Sequence, residues 1–448
     1  MQRVPLRSGP HQRHRRVRLL MVRRTSLAVL SAGILAFGAA VAPAGDWPQL
    51  LGPQRDGHAA ADERIAESWP DAGPKARWRR PIGRGYAGPV VVGETVVVFH
   101  REASRGGSGD EEVIEAIDAA SGQTRWRDAH PTRFRPQVGG GDGPLCTPVV
   151  HGGRVVTYGA TGMLSCHELA TGRRLWQRQT HREFDAREGY FGAGSTPLVT
   201  GEGEAACVVT LVGGTKGETG IVAVALADGS TRWMATREPA GYSAPIAVSL
   251  GGRPHVLAVT RYRCLLLDAA DGGVRWEFPF GMRGPTVNAA TPVLLPPGDR
   301  PRLLVTAAYG IGSVAAAFDV DDATPLWKGV DSLASQYCTP LLVDGLLYGF
   351  DGRDDVPPAS LVCLDPATGE VRWREQGLGY GTLIEADGKL IAATTDGELL
   401  LIRPDPAGLR VLARCRPREA TLRGLPALAG GRLYLRDDAT LACLELGR

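Results

Sequence analysis

The chain has 448 residues, 43% of them hydrophobic, 22% charged and 6% aromatic, with a formal charge of +3. That apolar content can fill a large core and excludes a disordered chain. Fifty-nine glycines and 32 prolines favour many short elements joined by tight turns over long helices.

Residues 1–44 read as an export leader. Arg3, Arg7, Arg13, Arg15, Arg16, Arg18, Arg23 and Arg24 form a basic stretch without an acidic residue. An apolar run from Leu27 to Val41 follows, and then the small-x-small sequence Ala42-Pro43-Ala44. This is the pattern of a signal peptide, and a run of about 15 residues is short for a stable membrane anchor. Met21 would start an ordinary signal by itself, and Arg23-Arg24 matches a twin-arginine signal only weakly. No cysteine stands at the cleavage point to carry a lipid. Loss of the eight leader arginines takes the formal charge from +3 to −5, which argues against nucleic acid as the main partner. The mature chain is expected to be periplasmic or secreted.

Beyond an N-terminal extension at 45–73, tryptophans mark a repeat. Trp78, Trp126, Trp176, Trp233, Trp276, Trp327 and Trp373 follow one another at intervals of 43 to 57 residues. The last six close one phrase: IDAASGQTRW, HELATGRRLW, VALADGSTRW, LLDAADGGVRW, FDVDDATPLW and LDPATGEVRW. Four residues before the tryptophan stands Gly122, Gly172, Gly229, Gly272 or Gly369, with Ala323 the exception. Each phrase predicts an apolar strand, a turn with glycine at positive φ, and a strand ending in tryptophan. A degenerate copy, LLLIRPDPAGLRVL, sets Gly408 in the glycine place and Leu412 in the tryptophan place.

Upstream of each phrase a strand A opens on a small residue: Ala87, Cys146, Ser195, Ser243, Ala290, Cys338, Gly381 and Gly424. A β-rich run such as TVVVF or KLIAAT comes next. Residues 74–448 are therefore expected to form one all-β domain, an eight-bladed β-propeller of four-stranded antiparallel blades. The last unit lacks a strand D, and the strand around Trp78 lacks strands A to C. Pairing the two closes the ring and removes two raw sheet edges.

The ALDxxTGxxxW-type phrase resembles the repeat of pyrroloquinoline-quinone (PQQ)-like propellers. That family includes quinoprotein alcohol dehydrogenases and the propeller lipoprotein of the outer-membrane β-barrel assembly machinery. DWPQLLGPQRDG (Asp46 to Gly57) and WPDAGPKARWRRPIGRGYAGPVV are similar to segments of secreted bacterial members. The resemblance spans about residues 46–446 and implies fold more than function. One reading it leaves open is a non-catalytic, monomeric module that binds a protein, peptide or envelope polymer at the propeller face. The other is a dehydrogenase that oxidises an alcohol or sugar with PQQ and calcium. Such enzymes typically carry an adjacent Cys-Cys pair, which this chain lacks. Their calcium ligands and catalytic aspartate find no residue-by-residue match here. The favoured reading is non-catalytic, with no cofactor, metal or catalytic residue assigned.

The cysteines fit a structural role. Cys166, Cys363 and Cys443 share a strand position with Ala116, Ala223, Leu266 and Ala317, as small apolar fillers of a tight core would. Cys146 and Cys338 share the strand A start with alanine and serine, four blades apart, beyond the roughly 7 Å reach of a disulfide. No C-x-x-C pair supports a zinc knuckle or c-type haem. The seven tryptophans are expected to fill the widening gap between blades.

Function is sought in the loops from strand D to the next strand A, which converge near the axis. Tyr86, Tyr242, Tyr337 and Tyr380 immediately precede strand A, Tyr190 lies close by, and Arg84, Arg187, Arg283 and Arg423 occupy the same loops. Either these residues surround an axial pocket for a planar or anionic ligand, or the tyrosines brace strand A and the arginines are solvated. The longest loops, 130–144 and 180–194, are candidates for a functional role. His181, Glu183, Asp185 and Glu188 form a candidate oxygen-rich cation cluster. GRDD at 352–355 reads as a solvated insertion, and Ser195 lacks the G-x-S-x-G of a hydrolase.

Overall fold

A computed structural model describes residues 45–417 and 420–447, so the leader at 1–44 lies outside the described residues. Each repeat phrase folds as strand, turn and strand. Among the described residues 32 strands build eight four-stranded antiparallel sheets, and the single α-helix is one short turn, Thr180–Phe184. Blades 1 to 7 occupy residues 90–132, 149–179, 198–235, 246–279, 293–329, 341–376 and 381–415. Blade 8 takes three strands from 427–445 and its fourth, Lys75–Pro81, from the other end of the domain. In that closing pair Trp78 stands opposite Cys443 and Arg80 opposite Leu441. No helix of the described residues is long and apolar enough to cross a membrane.

Strand A is innermost and short. In most blades it begins about three residues after the small residue that marks it in the sequence, as Val149–His151 does after Cys146. The intervening Thr-Pro turn serves the neighbouring blade. Thr147 Oγ1 accepts from Gly88 N at 3.1 Å, Thr196 Oγ1 from Thr147 N at 3.0 Å, and Thr339 Oγ1 from Thr291 N at 3.0 Å. Proline has no N–H to leave unpaired there. The marker residue must be small because it is sealed between blades: Cys146, Ser243 and Ala87 are all 0% exposed.

The tryptophans join one blade to the next. The indole N–H of Trp78, Trp126, Trp176, Trp233, Trp276, Trp327 and Trp373 donates to Ala119, Leu169, Leu226, Ala269, Asp319, Pro366 and Asp405 carbonyls in the following blade, at 2.8 to 3.0 Å. The ring then lies on that blade's turn glycine. A Cβ on Gly172 would fall 2.5 Å from the Trp126 ring, and its φ of +73° is disfavoured for any other residue. Gly172→Ala should therefore cost about 3 kcal/mol, about 1–2 from left-handed strain and the rest from displacing the indole. Gly93→Ala, at φ +54° with open space around it, should cost only the strain. Equal urea midpoints for the two variants would dismiss the indole contact.

Two register expectations shift. Blade 5 turns more tightly, so Trp327 stands opposite Ala315, and Ala317 pairs with Thr324 instead. In blade 7 the bulge falls one pair further along, and Ala413 rather than Leu412 takes the place opposite Leu401. All eight cysteines are free and buried. Burial pushes the Cys166 and Cys338 thiols up to about 12, so they stay protonated and inert.

Candidate functional site

The extension at 45–73 closes one end of the bore. Trp47 exchanges backbone hydrogen bonds with Val91 of blade 1, and Pro48 O accepts from Val150 N of blade 2 at 2.8 Å. Arg55 donates to Thr196 O at 2.7 Å and Pro197 O at 3.1 Å, both beside strand A of blade 3. The chain then reaches the far side. His58 Nε2 meets Leu342 O of blade 6 at 3.0 Å, Ala59 N bonds Glu385 O of blade 7, and the Glu63 carboxylate accepts from Gly430 and Gly431 N–H of blade 8. A segment bonded to blades 1 to 3 and then to blades 6 to 8 must cross the axis. It does so through Leu51 and Arg55, both left-handed at φ 62° and 63°.

Arg55 is buried with no carboxylate partner among the described residues, and burial pushes its guanidinium down to about 9. His58 moves the other way. Burial alone would lower it, but hydrogen bonding and charge from Asp56, the charge of Glu385 and the Leu342 carbonyl carry it to about 9. Protonated His58 therefore stabilises the plug fully below its ordinary 6.5, and the contribution fades as pH rises through 9. The expected loss is on the order of 2 kcal/mol. Urea midpoints measured from pH 6 to pH 10 should fall further in the wild type than in His58→Gln, which keeps only the loss that follows from ionising the buried thiols in the unfolded chain; parallel curves would refute the assignment.

Above the plug lies a funnel of about 540 Å³, floored by Leu50 and Leu51 and open on the face of the D-to-A loops. Tyr86, Tyr190, Tyr242 and Tyr337 line it, as do Phe191, Val138 and the glycines of the 130–144 loop. Lower down come the strand A threonines Thr147, Thr196, Thr291, Thr339 and Thr382. Several tyrosines also brace the loops. Tyr242 Oη accepts from the N–H groups of Tyr190 and Phe191 at 3.0 Å each. Tyr380 is buried outside the lining, its Oη accepting from Tyr337 N at 2.8 Å and Cys338 N at 2.9 Å, its ring edge-on to Tyr337 at 4.7 Å.

The arginines divide. Arg84 is a strut outside the lining: with Arg101 it binds Asp110 and Asp142 and anchors the base of the 130–144 loop. Arg187 and Arg283 are exposed and outside the lining. Arg423 does line the funnel, 5.3 Å over the Tyr86 ring and paired with Asp354 at 2.7 Å. Its partner comes from the segment read as a solvated insertion. Residues 353–355 instead stand at the wall, with Arg353 4.4 Å over the Tyr309 ring and its Nε donating to Asp355 at 2.9 Å. Gln336 joins them, donating to Tyr309 Oη at 3.0 Å and accepting from Asp354 N at 2.8 Å. The signal for this wall was length. The connection 352–359 spans eight residues where its counterpart in blade 2, 159–162, spans four.

The candidate cation cluster does not assemble. Glu183 is taken by Arg178, Asp185 accepts from Thr215 Oγ1 at 2.7 Å, and His181 is buried edge-on against Tyr158. Among the described residues no three His, Cys, Asp or Glu side chains gather as a metal site.

The family model described as outer membrane protein assembly factor BamB matches residues 109–375. Protein Rv3035 of Mycobacterium tuberculosis (strain ATCC 25618 / H37Rv) is 28% identical over 179 residues, which are 38% of this chain and 42% of that protein. The match thus spans less than half of the relative's length. Among solved structures, BamB from Moraxella catarrhalis superposes with a TM-score of 0.57 at 16% identity, covering 83% of this chain and 100% of that one. Quinohemoprotein alcohol dehydrogenase from Comamonas testosteroni gives 0.62 at 14%, covering 91% and 82%. At such identities the likeness is one of fold. The family match extends over more than half the chain and runs through the blade phrases themselves, so this chain belongs to the PQQ-like propeller family described as outer membrane protein assembly factor BamB.

Proposed function

We propose that this chain is a non-catalytic binding propeller of the bacterial cell envelope, which presents its loop face and plugged funnel to a ligand or partner. The observation that carries the reading is the funnel's chemistry: aromatic walls, a ring of threonine hydroxyls above a leucine floor, and charges already matched within the protein. Membership of a family described by an outer-membrane assembly factor, together with the basic leader, supports an extracytoplasmic place.

The likeness to a quinohemoprotein dehydrogenase favours a second reading, with PQQ and calcium in the funnel. The residues present do not fit that group. The funnel's two carboxylates, Asp354 and Asp355, are ion-paired to Arg423 and Arg353, which leaves no oxygen-rich set for calcium. Titrating residues 45–448 calorimetrically with PQQ and calcium, beside dye-linked alcohol and sugar dehydrogenase assays, tests the choice. No heat and no turnover are expected. Stoichiometric micromolar binding with turnover would reverse the reading.

A further inference from the structure

We infer that the ligand of the axial funnel is a neutral oligosaccharide. The inference rests on the binding reading above and names its substrate class. Charge comes first. Both arginines of the wall are committed to aspartates, Arg353 to Asp355 and Arg423 to Asp354. An anionic ligand would have to displace those carboxylates, and a cationic one would have to displace the guanidiniums. A neutral ligand disturbs neither.

The neutral surfaces then specify the ligand. Tyrosine faces meet the apolar C–H faces of sugar rings well, and Tyr309 and Tyr86 are each backed by a guanidinium that holds the ring in place. The Arg353–Asp355 fork sets donors beside acceptors, and a pair of vicinal hydroxyls answers both because each hydroxyl donates and accepts. Deeper in, Thr382 and Tyr337 are among the lining residues, and their hydroxyls are buried and make no hydrogen bond among the described residues. Buried hydroxyls of this kind call for a hydrogen-bonding guest.

An extended peptide suits the funnel less well. It would need a row of free backbone N–H and C=O groups for strand addition. The turns around the bore spend theirs between blades, as Thr147 N does on Thr196 and Thr291 N on Thr339. The volume of about 540 Å³ lies within the usual range of small-molecule pockets, about 300–1,000 Å³. It has room for a few sugar rings.

The test titrates residues 45–448 with maltotriose, cellotriose and N,N′,N″-triacetylchitotriose as neutral probes. Trigalacturonate, an extended outer-membrane-strand peptide, and PQQ with calcium run beside them. One-to-one binding of a neutral trisaccharide is expected, weakened about tenfold by Tyr337→Phe and by Thr382→Val, with melting temperatures no lower than the wild type's, because each change removes a buried hydroxyl without a partner among the described residues. Silence from all three neutral probes overturns the inference. So does preference for trigalacturonate or the peptide, or equal affinity in both variants. Each of those results leaves the non-catalytic reading standing. Dehydrogenase turnover with PQQ would instead overturn that reading and this inference together.

Discussion

Arg436→Met should destabilise the domain by about 3–5 kcal/mol, one of the two largest effects expected of a single substitution here. Arg436 sits in the second strand of blade 8 and is 1% exposed. Its guanidinium donates to Ala87 O and Phe99 O at 3.1 Å and to Gly83 O at 2.9 Å, all in or beside blade 1. One side chain therefore bridges the two ends of the repeat array. Burial pushes it down to about 10, so it stays charged at neutral pH. Methionine fills the space but takes this donor from two buried carbonyls, Ala87 and Phe99, each loss costing about 1–3 kcal/mol, and from the half-buried Gly83 carbonyl. Relief from burying a charge offsets part of that sum. Urea denaturation at pH 7, with exposed Arg410→Met as the control, measures the difference. A loss under 1 kcal/mol would mean that the Lys75–Pro81 pairing closes the ring without this bridge.

The second large effect concerns the plug. Trp47 is 1% exposed and packs into the core shared by blades 7, 8 and 1. Its ring also fixes the turn behind it, since a Cβ on Gly52 would come within 3.0 Å of the indole. Trp47→Ala should cost about 3–5 kcal/mol in lost burial and cavity. The change should also be local. In hydrogen exchange, the amides of Val91 and Glu385, which bond to the plug, and that of Ala59, by which the plug bonds to blade 7, should lose protection first. The blade 4 strand around Trp276 should keep its own. Leu50 and Leu51 would then no longer floor the funnel, and trisaccharide affinity should fall with them. Uniform loss of protection around the ring would show that the plug is part of one cooperative unit.

The blades were legible because their chemistry repeats. A glycine four residues before a tryptophan recurs only where a turn at positive φ must receive the indole of the preceding blade, and Gly172 with Trp126 realises that contact. Cysteine interchanging with alanine marked sites too crowded for more, which the buried thiols bear out. Where the sequence reading slipped, a turn had changed length, as in blade 5, or a bulge had moved, as in blade 7. One tighter hairpin in blade 5 moved the tryptophan's partner from Ala317 to Ala315, because each added pair shifts the register of every residue beyond it.

The funnel was only half legible. Position next to strand A pointed to Tyr86, Tyr242 and Tyr337, and the radial arrangement brought them to one cavity. The same position also holds Tyr380, whose hydroxyl is spent on backbone N–H groups. Residue type and spacing are identical in the two cases, and Tyr242 braces a loop as well; only the neighbouring loop decides which tyrosine also reaches the cavity. Arg84, Arg187 and Arg283 shared a loop family with Arg423, yet only Arg423 finds a carboxylate and an aromatic ring at the wall.

From local information alone, the chain determined its strands, its turns and its number of blades, and the strands left over at its two ends implied how they meet. These depend on alternation, glycine and proline, which act over a few residues and recur eight times. The tertiary structure alone decided that residues 45–73 cross the bore, that 353–355 stand at the funnel wall, and that the wall arginines carry their own counter-ions. Those features join residues about 70 to 370 positions apart, such as Arg423 with Asp354 and Glu63 with Gly430. No periodicity records such a pairing, because each is made once and only by closing the ring.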